Sequence, residues 1–295
     1  MILNSFAKLN LYLEVLNKRK DNFHNLKTVF ERISLSDRII LKPLPDKKIK
    51  ITCASPLVPK NKTNLCFRAA ALLQKSFKVN KGVEIKIIKR IPVGAGLGGG
   101  SSNAASVFLG LNKLWKLRLS KERLVSLAKG IGSDIPFFIY NAPFAEGLER
   151  GDKIKPLKAL KDLRLWHIVV VPKIKVSTPF IYKKWDEGRA KKNKKVALTM
   201  PGYDVKILNL ALRKNDLSSG KRLFFNSLEK VTAEYYPEIK QIREKLTGFG
   251  LESILMSGSG PAVFGIASSR KEALSLGRKL KRQGRSWRVF AARTI

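Results

Sequence analysis

The sequence predicts an α+β fold in two lobes, and three observations lead to this prediction. Strand-like runs with inserted helical patterns fill the first half of the chain. The second half opens on the apolar run 165–171 and closes in the order strand, helix, strand. A glycine-rich segment also separates a strand-like run from a long helical pattern. We therefore predict two domains, residues 1–160 and 161–295.

Hydrophobic periodicity gives the individual elements. Apolar and polar residues alternate from Ala7 to Val15, which predicts a strand with one buried face. Ser120 is placed to cap a helix, and the basic run from Lys183 to Lys195 predicts a mobile loop. The other predicted strands are 38–41, 49–52, 83–88, 165–171, 253–255, 262–267 and 287–292, and the predicted helices are 65–76, 103–117, 120–129, 203–212, 219–232, 237–245 and 271–282.

Charge gives the first indication of possible partners. The chain of 295 residues has 59 Lys and Arg against 22 Asp and Glu, a formal net charge of +37, which raises the question of a nucleic-acid partner. The basic residues are spread along the chain, and neither the run 183–195 nor the run 278–288 alternates with aromatic residues as a base-stacking platform does. We therefore expect a solvated basic surface that attracts anionic small molecules, and no specific nucleic-acid partner.

Cysteine and histidine are scarce. Cys53 and Cys66 cannot form a disulfide framework or a zinc site of four ligands, and His24 and His167 add little metal capacity. The sequence contains no apolar run approaching ~18 residues and no signal-peptide pattern at its start. We therefore expect a protein of the reducing cytoplasm with no membrane partner, as a monomer or homodimer.

The glycine-rich segment predicts a site for a phosphate group. Five glycines permit positive φ angles and a close approach of the backbone to a ligand, so that consecutive N–H groups can converge on an anion. The helix that follows adds its unpaired N–H groups and the positive end of its dipole. These glycines are Gly94, Gly96, Gly98, Gly99 and Gly100.

Other interpretations of this segment are weaker. No Gly-Lys-Ser/Thr follows the glycines, which excludes a Walker A loop. The spacing of Gly94, Gly96 and Gly99 fits a dinucleotide-binding fingerprint, but residues 112–115 lie in a helical pattern where that fold needs an acidic residue at a strand end. A flexible surface turn remains as the alternative without a ligand. A second cluster, Ser257 to Pro261, predicts either part of the same site or a tight turn.

Three segments together resemble the motifs of the GHMP kinases, in order and in spacing: Ala7 to Asn10, Pro92 to Ser102 and Ser257 to Pro261. The resemblance covers essentially the whole chain. It implies the two-lobed GHMP kinase fold, with an N-terminal lobe like domain 2 of ribosomal protein S5 and a ferredoxin-like C-terminal lobe. It also implies that the chain uses ATP with Mg²⁺, the N-terminal domain binding the nucleotide.

Further segments are most similar to one branch of that family, which phosphorylates the 2-hydroxyl of a cytidine-diphosphate-linked methylerythritol in the non-mevalonate isoprenoid route. They are Asp21 to His24, Gly132 to Phe138 and Phe144 to Gly147. The resemblance thus implies a small-molecule substrate. Another GHMP kinase, acting on mevalonate, homoserine or a sugar, is the first alternative. A basic nucleic-acid-binding protein with purely structural glycine loops is the second.

The resemblance also implies residue roles. Asp134 would take the proton from the substrate hydroxyl and Lys8 would be the cation beside it, a pairing that suits phosphoryl transfer. From the residues alone, Asp134 fits a turn or helix cap equally well and Lys8 a solvent-facing strand position. No side chain is assigned to a metal. The implied ATP-binding residues are Pro92, Val93, Gly94, Ala95, Gly96, Leu97, Gly98, Gly99, Gly100, Ser101 and Ser102, with the base near Asn64 and Leu65, and the implied substrate-binding residues are Asn10, Phe23, His24, Thr178 and Tyr182.

Overall fold

The computed structural model describes residues 1–191, 205–214, 216, 224–283 and 286–295. Within them the strands form a seven-stranded and a four-stranded sheet. The strands are β1 (Ile2–Lys18), β2 (His24–Leu44), β3 (Ile49–Cys53), β4 (Gly82–Ile88), β5 (Phe144–Glu149), β6 (Lys153–Pro156), β7 (Trp166–Val171), β8 (Phe225–Asn226), β9 (Ile254–Met256), β10 (Val263–Ala267) and β11 (Arg288–Arg293). The helices are α1 (Leu65–Ser76), α2 (Gly99–Leu114), α3 (Lys121–Lys129), α4 (Ile135–Tyr140), α5 (Thr178–Lys191), α6 (Val205–Lys214), α7 (Glu229–Tyr235), α8 (Pro237–Gly248) and α9 (Arg270–Arg282).

The larger sheet has the order β3-β4-β2-β1-β8, and β5 pairs with β2 and with β6. The smaller sheet has the order β11-β7-β10-β9, with every pair antiparallel. β8 comes from the second half of the chain but pairs in parallel with β1, and Thr294 bridges to Ile33. The two halves therefore share hydrogen bonds, and the boundary at residue 160 stays a prediction.

Three apolar clusters form the core. The first lies between the larger sheet and helices α1 to α4, and the third lies between the smaller sheet and helices α8 and α9. The second lies between the two sheets and contains Leu9 and Leu11 of β1 together with Val169 and Phe264 of the smaller sheet. This middle cluster joins the two halves of the chain and fixes β1 between them.

β1 differs from its prediction because both of its faces are buried. Its apolar side chains face the core between the sheets, and its polar side chains Lys8, Asn10 and Glu14 are buried as well. Alternation alone predicted that these polar side chains would reach solvent. Buried polar groups require partners, so the polar face of β1 is the place to look for a site.

Several predicted elements also need correction. The run 183–195 is not a loop as far as the structure describes it, because α5 continues to Lys191; residues 192–195 lie outside the described residues. The helix predicted over 219–232 is wrong at Phe225 and Asn226, which form β8, and α7 begins only at Glu229. The helix predicted over 203–212 is confirmed from Val205 onward by α6, which ends two residues later at Lys214, whereas residues 203–204 and 219–223 lie outside the described part.

His167 lies inside the apolar strand β7 and, among the described residues, is only partly satisfied in its hydrogen bonds. It is fully buried, and its Nε2 lies 2.8 Å from Oε1 of Glu31. Thr294 Oγ1 donates to the same carboxylate oxygen and accepts from the amide of Leu165. Within the described residues His167 Nδ1 has no partner. The hydrogen bonds among Glu31, His167 and Thr294 link β2, β7 and the C-terminal residues in the interior.

Candidate active site

The residues just before the glycine loop, which comprises residues 92–101, are held by a buried carboxylate that the sequence analysis did not single out. Asp37 of β2 accepts hydrogen bonds from the amides of Arg90 (2.7 Å) and Ile91 (2.8 Å), and Lys89 Nζ pairs with its carboxylate. Asn103 Nδ2 donates to the same group at 2.9 Å. Asp37 therefore fixes both the strand end before the loop and the first turn of α2 after it.

The loop uses its glycines in two ways. Gly94, Gly96 and Gly98 have φ angles of 68°, 75° and 65°, a region that side chains with a Cβ rarely adopt. Gly99 and Gly100 are the first residues of α2, so the expectation of positive φ is wrong for them. Gly99 is closely surrounded, because a Cβ there would lie 2.9 Å from Lys89 Nζ and 3.0 Å from Ile91 Cγ2.

The second glycine cluster, residues 257–261, meets the glycine loop directly. A Cβ on Gly96 would lie 2.1 Å from the carbonyl oxygen of Ser257. Ser257 Oγ donates to Gly96 O at 3.0 Å and accepts from the amide of Asn10 at 3.3 Å. The two clusters and the polar face of β1 therefore form one site.

Lys8 and Asp134 face each other across this site. Lys8 Nζ lies 3.7 Å from Asp134 Oδ2, and the side chains are 5% and 30% exposed. Asp134 occupies the cap position of α4, but its side chain makes no capping hydrogen bond. Lys8 Nζ also donates to Asn10 Oδ1, as two side chains on one strand face can. Burial lowers the pKa of Lys8, and the charge of Asp134 partly opposes this shift.

Two cavities lie at this site, and the Lys8–Asp134 pair lines the smaller one. The loop cavity, about 390 Å³, is bounded by the glycine loop, Lys89, Asn64, Asn103 and an apolar end at 57–59 and 65. The Lys8 cavity, about 220 Å³, is bounded by Lys8, Asn10, Asp134, Arg150, Thr178, Tyr182 and Ser259, among others. Gly96 and Gly98 border both cavities. A ligand in one cavity can therefore meet a ligand in the other beside Lys8 and Asp134.

The side chains of Ser101 and Ser102, in the first turn of α2, have different surroundings. Ser101 borders the loop cavity, as do the other predicted loop residues from Pro92 onward. Ser102 is buried, and its Oγ accepts from Ser5 Oγ at 2.8 Å. The predicted contact of the Ser102 hydroxyl with a phosphate or metal is therefore not supported by its position, because the hydroxyl points into the protein.

Helix α5 supplies the outer wall of the Lys8 cavity. Thr178 Oγ1 lies 2.7 Å from Ser259 Oγ. Tyr182 is half-buried, and desolvation of its hydroxyl, helped by the charge of Asp134, raises the pKa of that group above the ordinary range. Both side chains border the cavity where the sequence placed a substrate.

Phe23 and His24 do not border either cavity. His24 is stacked on Tyr182 with ring centroids 5.1 Å apart, and its Nε2 lies 2.8 Å from Asp186 Oδ1. Phe23 is 55% exposed, and the guanidinium of Arg150 lies over its ring, 5.3 Å from the ring centre. The two residues therefore lie behind and beside the cavity wall, and their substrate contacts stay a prediction.

Comparison with known proteins decides the family. The model of the GHMP kinases N terminal domain matches residues 64–142, and that of the GHMP kinases C terminal domain matches residues 208–286. A curated 4-diphosphocytidyl-2-C-methyl-D-erythritol kinase from Geobacillus sp. (strain WCH70) is 41% identical over 90% of this chain and 88% of its own length. The chain belongs to the GHMP kinases.

Solved structures of GHMP kinases confirm the predicted fold class. A crystal structure of 4-(cytidine 5'-diphospho)-2C-methyl-D-erythritol kinase matches with a TM-score of 0.80 and 33% identity, over 99% of this chain and 98% of its own. L. major mevalonate kinase in complex with R-mevalonate matches with a TM-score of 0.75 at 18% identity, over 100% of this chain and 95% of its own, which shows the fold alone.

Among the described residues, no helix is both long and apolar enough to cross a membrane.

As a GHMP kinase, the chain acts on ATP. Sequence reasoning missed three charged residues that this kinase places at the site: Asp37, Lys89 and Arg150. In the sequence, Asp37 resembles any other carboxylate in a strand, because the four groups that donate hydrogen bonds to it are identified only in the structure. Arg150 and Lys89 are ordinary members of a very basic sequence, so residue type alone carried no signal.

Proposed function

We propose that this GHMP kinase transfers the γ-phosphoryl group of ATP to the 2-hydroxyl of 4-diphosphocytidyl-2-C-methyl-D-erythritol, a step of the non-mevalonate isoprenoid route. The observation that carries the proposal is the Lys8–Asp134 pair in the Lys8 cavity, which shares the wall residues Gly96 and Gly98 with the loop cavity. The substrate is taken from the curated relative and the solved structure, both of which are named for it.

Asp134 is the proposed base. Its carboxylate makes no capping hydrogen bond and is partly open to the Lys8 cavity, so it can accept the proton of a substrate hydroxyl. The hydroxyl oxygen then bonds to the γ-phosphorus, the bond from phosphorus to the β–γ bridging oxygen breaks, and ADP leaves. Lys8 holds an ammonium group where charge gathers on the transferred group.

The loop cavity is the proposed ATP site. Its apolar end, at Leu57, Val58, Pro59 and Leu65, suits an adenine ring, and the glycine loop with the start of α2 suits the phosphates. Lys89 borders the same cavity and adds positive charge next to Gly99.

Mg²⁺ is proposed to enter with the nucleotide, coordinated mainly by phosphate oxygens. The Ser101 hydroxyl at the cavity wall fits as a protein donor, whereas the Ser102 hydroxyl is turned towards Ser5. When bound, the ion neutralises negative charge on the phosphates. The protein residues position the reacting groups around it.

The Lys8 cavity is the proposed substrate site. Asn10 and Thr178 offer hydrogen bonds, Tyr182 offers an aromatic face, and Arg150 offers a cation for the diphosphate. Lys8 and Arg150 against Asp134 make this wall positive, which favours an anionic substrate. The cytosine ring is proposed to lie towards Phe23 and His24, beyond Tyr182.

A coupled assay for ADP release tests the proposal. With ATP and 4-diphosphocytidyl-2-C-methyl-D-erythritol we expect turnover well above that with mevalonate or homoserine. A preference for either of those acceptors would favour the alternative that this chain is a different GHMP kinase.

The Asp134→Asn variant tests the base. We expect kcat to fall by about 100-fold or more while ATP affinity stays within about 2-fold, because the carboxylate is required in the transition state. Asp162→Asn is the matched control, since Asp162 is exposed and borders neither cavity. A near-normal kcat for Asp134→Asn would refute the assignment of the base.

A further inference from the structure

The second half of α5 is anchored to the β1–β2 end of the larger sheet by one carboxylate. Asp186 Oδ1 lies 2.8 Å from His24 Nε2, and its Oδ2 lies 3.0 Å from Lys18 Nζ. Arg189, one turn further on, donates to the carbonyl oxygen of Leu16 at 3.2 Å. The helix that carries Thr178 and Tyr182 into the Lys8 cavity is therefore tied to His24.

This contact determines which nitrogen of His24 carries a proton. Burial acts to raise the pKa of Asp186, but the hydrogen bonds from Lys18 and His24 outweigh it, and the pKa lies below its ordinary value. An ionised carboxylate only accepts hydrogen bonds, so His24 Nε2 must donate. In a neutral imidazole the other nitrogen, Nδ1, then carries a lone pair and accepts.

The surroundings of His24 leave that acceptor available. Tyr182 covers one face of the ring, and the Trp185 ring stands edge-on to it with centroids 5.6 Å apart. Nδ1 has no hydrogen-bond partner among the described residues. Tyr182 borders the Lys8 cavity. Arg150, whose guanidinium lies over the ring of Phe23, borders the same cavity.

We propose that Asp186 is a positioning residue that holds His24 in its Nε2–H tautomer, so that Nδ1 accepts a hydrogen bond from the amino group of the substrate's base. The proposal rests on the cytidine substrate of the proposed function. Cytosine presents an amino donor where uracil presents a carbonyl oxygen, and two acceptors cannot pair. Asp186 therefore contributes to the selection of cytidine over uridine without touching the substrate.

Nitrogen-15 NMR of the imidazole rings tests the tautomer without any substrate. The chain has only two histidines, so a His24→Ala sample assigns the signals. In the wild-type protein at neutral pH we expect His24 to show a protonated Nε2 and an unprotonated Nδ1. In Asp186→Ala we expect the two shifts to move towards each other, because the ring then interconverts between tautomers. A doubly protonated ring or an Nδ1–H tautomer in the wild type would overturn the proposal.

Kinetics with cytidine and uridine forms of the substrate test the consequence. For Asp186→Ala we expect KM for the cytidine form to rise about 2- to 10-fold, the range of one hydrogen bond, with kcat unchanged and the preference over uridine reduced. Asp186→Asn keeps an acceptor oxygen and should restore most of the preference. Lys18→Ala, which removes the other partner of Asp186, is the matched control and should change little.

The two proposals fail in different ways. Absence of wild-type turnover with the cytidine substrate would refute the proposed function. Wild-type turnover combined with unchanged tautomer and unchanged nucleoside preference in Asp186→Ala would refute the role of Asp186 alone.

Discussion

Substitution of Gly96 by alanine isolates the contact between the two glycine clusters. Gly96 has a φ of 75°, and a Cβ there would lie 2.1 Å from Ser257 O and 3.2 Å from Gly260 O. Gly94 has a nearly equal φ of 68°, but a Cβ there would meet nothing within 4 Å. Gly94→Ala therefore carries the backbone strain alone, and Gly96→Ala carries the strain together with the clash.

The magnitudes follow from these two effects. A left-handed backbone conformation costs a residue with a Cβ about 1–2 kcal/mol, and both variants should lose this much stability. Overpacking against a fixed backbone oxygen adds about 1–3 kcal/mol for Gly96→Ala. We therefore expect Gly94→Ala to lower the free energy of unfolding by about 1–2 kcal/mol and Gly96→Ala by about 2–5 kcal/mol.

Urea denaturation of the ligand-free protein measures the difference, followed by circular dichroism with the wild type as reference. Activity supplies a second readout: Gly96→Ala should also reduce kcat, because Gly96 borders both cavities and its displacement shifts the loop relative to Lys8. Equal destabilisation by the two substitutions would refute the reasoning, since it would mean that the two clusters do not press against each other.

Two further predictions concern buried charges. Because burial lowers the pKa of Lys8 and its proposed role needs the ammonium form, kcat/KM should fall with rising pH at a pH below 10.5, the ordinary value for lysine. A pH–rate profile measures this, and an unchanged alkaline limb in Lys8→Arg would contradict it, since arginine stays charged. Asp37→Ala should lower the free energy of unfolding by about 3–5 kcal/mol in urea denaturation, because it leaves Lys89 as an uncompensated, largely buried charge and removes the acceptor of the Arg90 and Ile91 amides. A loss below about 1 kcal/mol would show that Asp37 does not anchor the loop.

Periodicity located the elements that have one clear face. Helix α1, strand β4 and helix α9 lie within a few residues of their predicted bounds, because each alternates between the core and solvent. β2 was predicted only at 38–41, although it runs for 21 residues. The first half of β2 is buried by neighbours distant in sequence, and it contains polar residues at buried positions. These residues interrupt the alternation of apolar and polar residues from which a strand is predicted.

The site shows the same division. The glycine loop was predicted from sequence because glycines at close spacing before a helix have few other uses, and Gly94, Gly96 and Gly98 adopt the expected positive φ. The partners of His24 were not predicted. Asp186 is 162 residues away along the chain, and it lies in the run 183–195, which was predicted as a loop because of its basic composition.

By itself, the sequence determined the local conformations: where glycine was needed, which stretches alternate, and which motif residues stand two apart on β1. Only the tertiary structure decided that Lys8 and Asp134 meet, that the clusters at Gly96 and Ser257 interlock, and that the Ser102 hydroxyl turns inward. The reason is physical. Local conformation depends on interactions between residues near in sequence, whereas burial and pairing of polar groups depend on neighbours brought close only by folding.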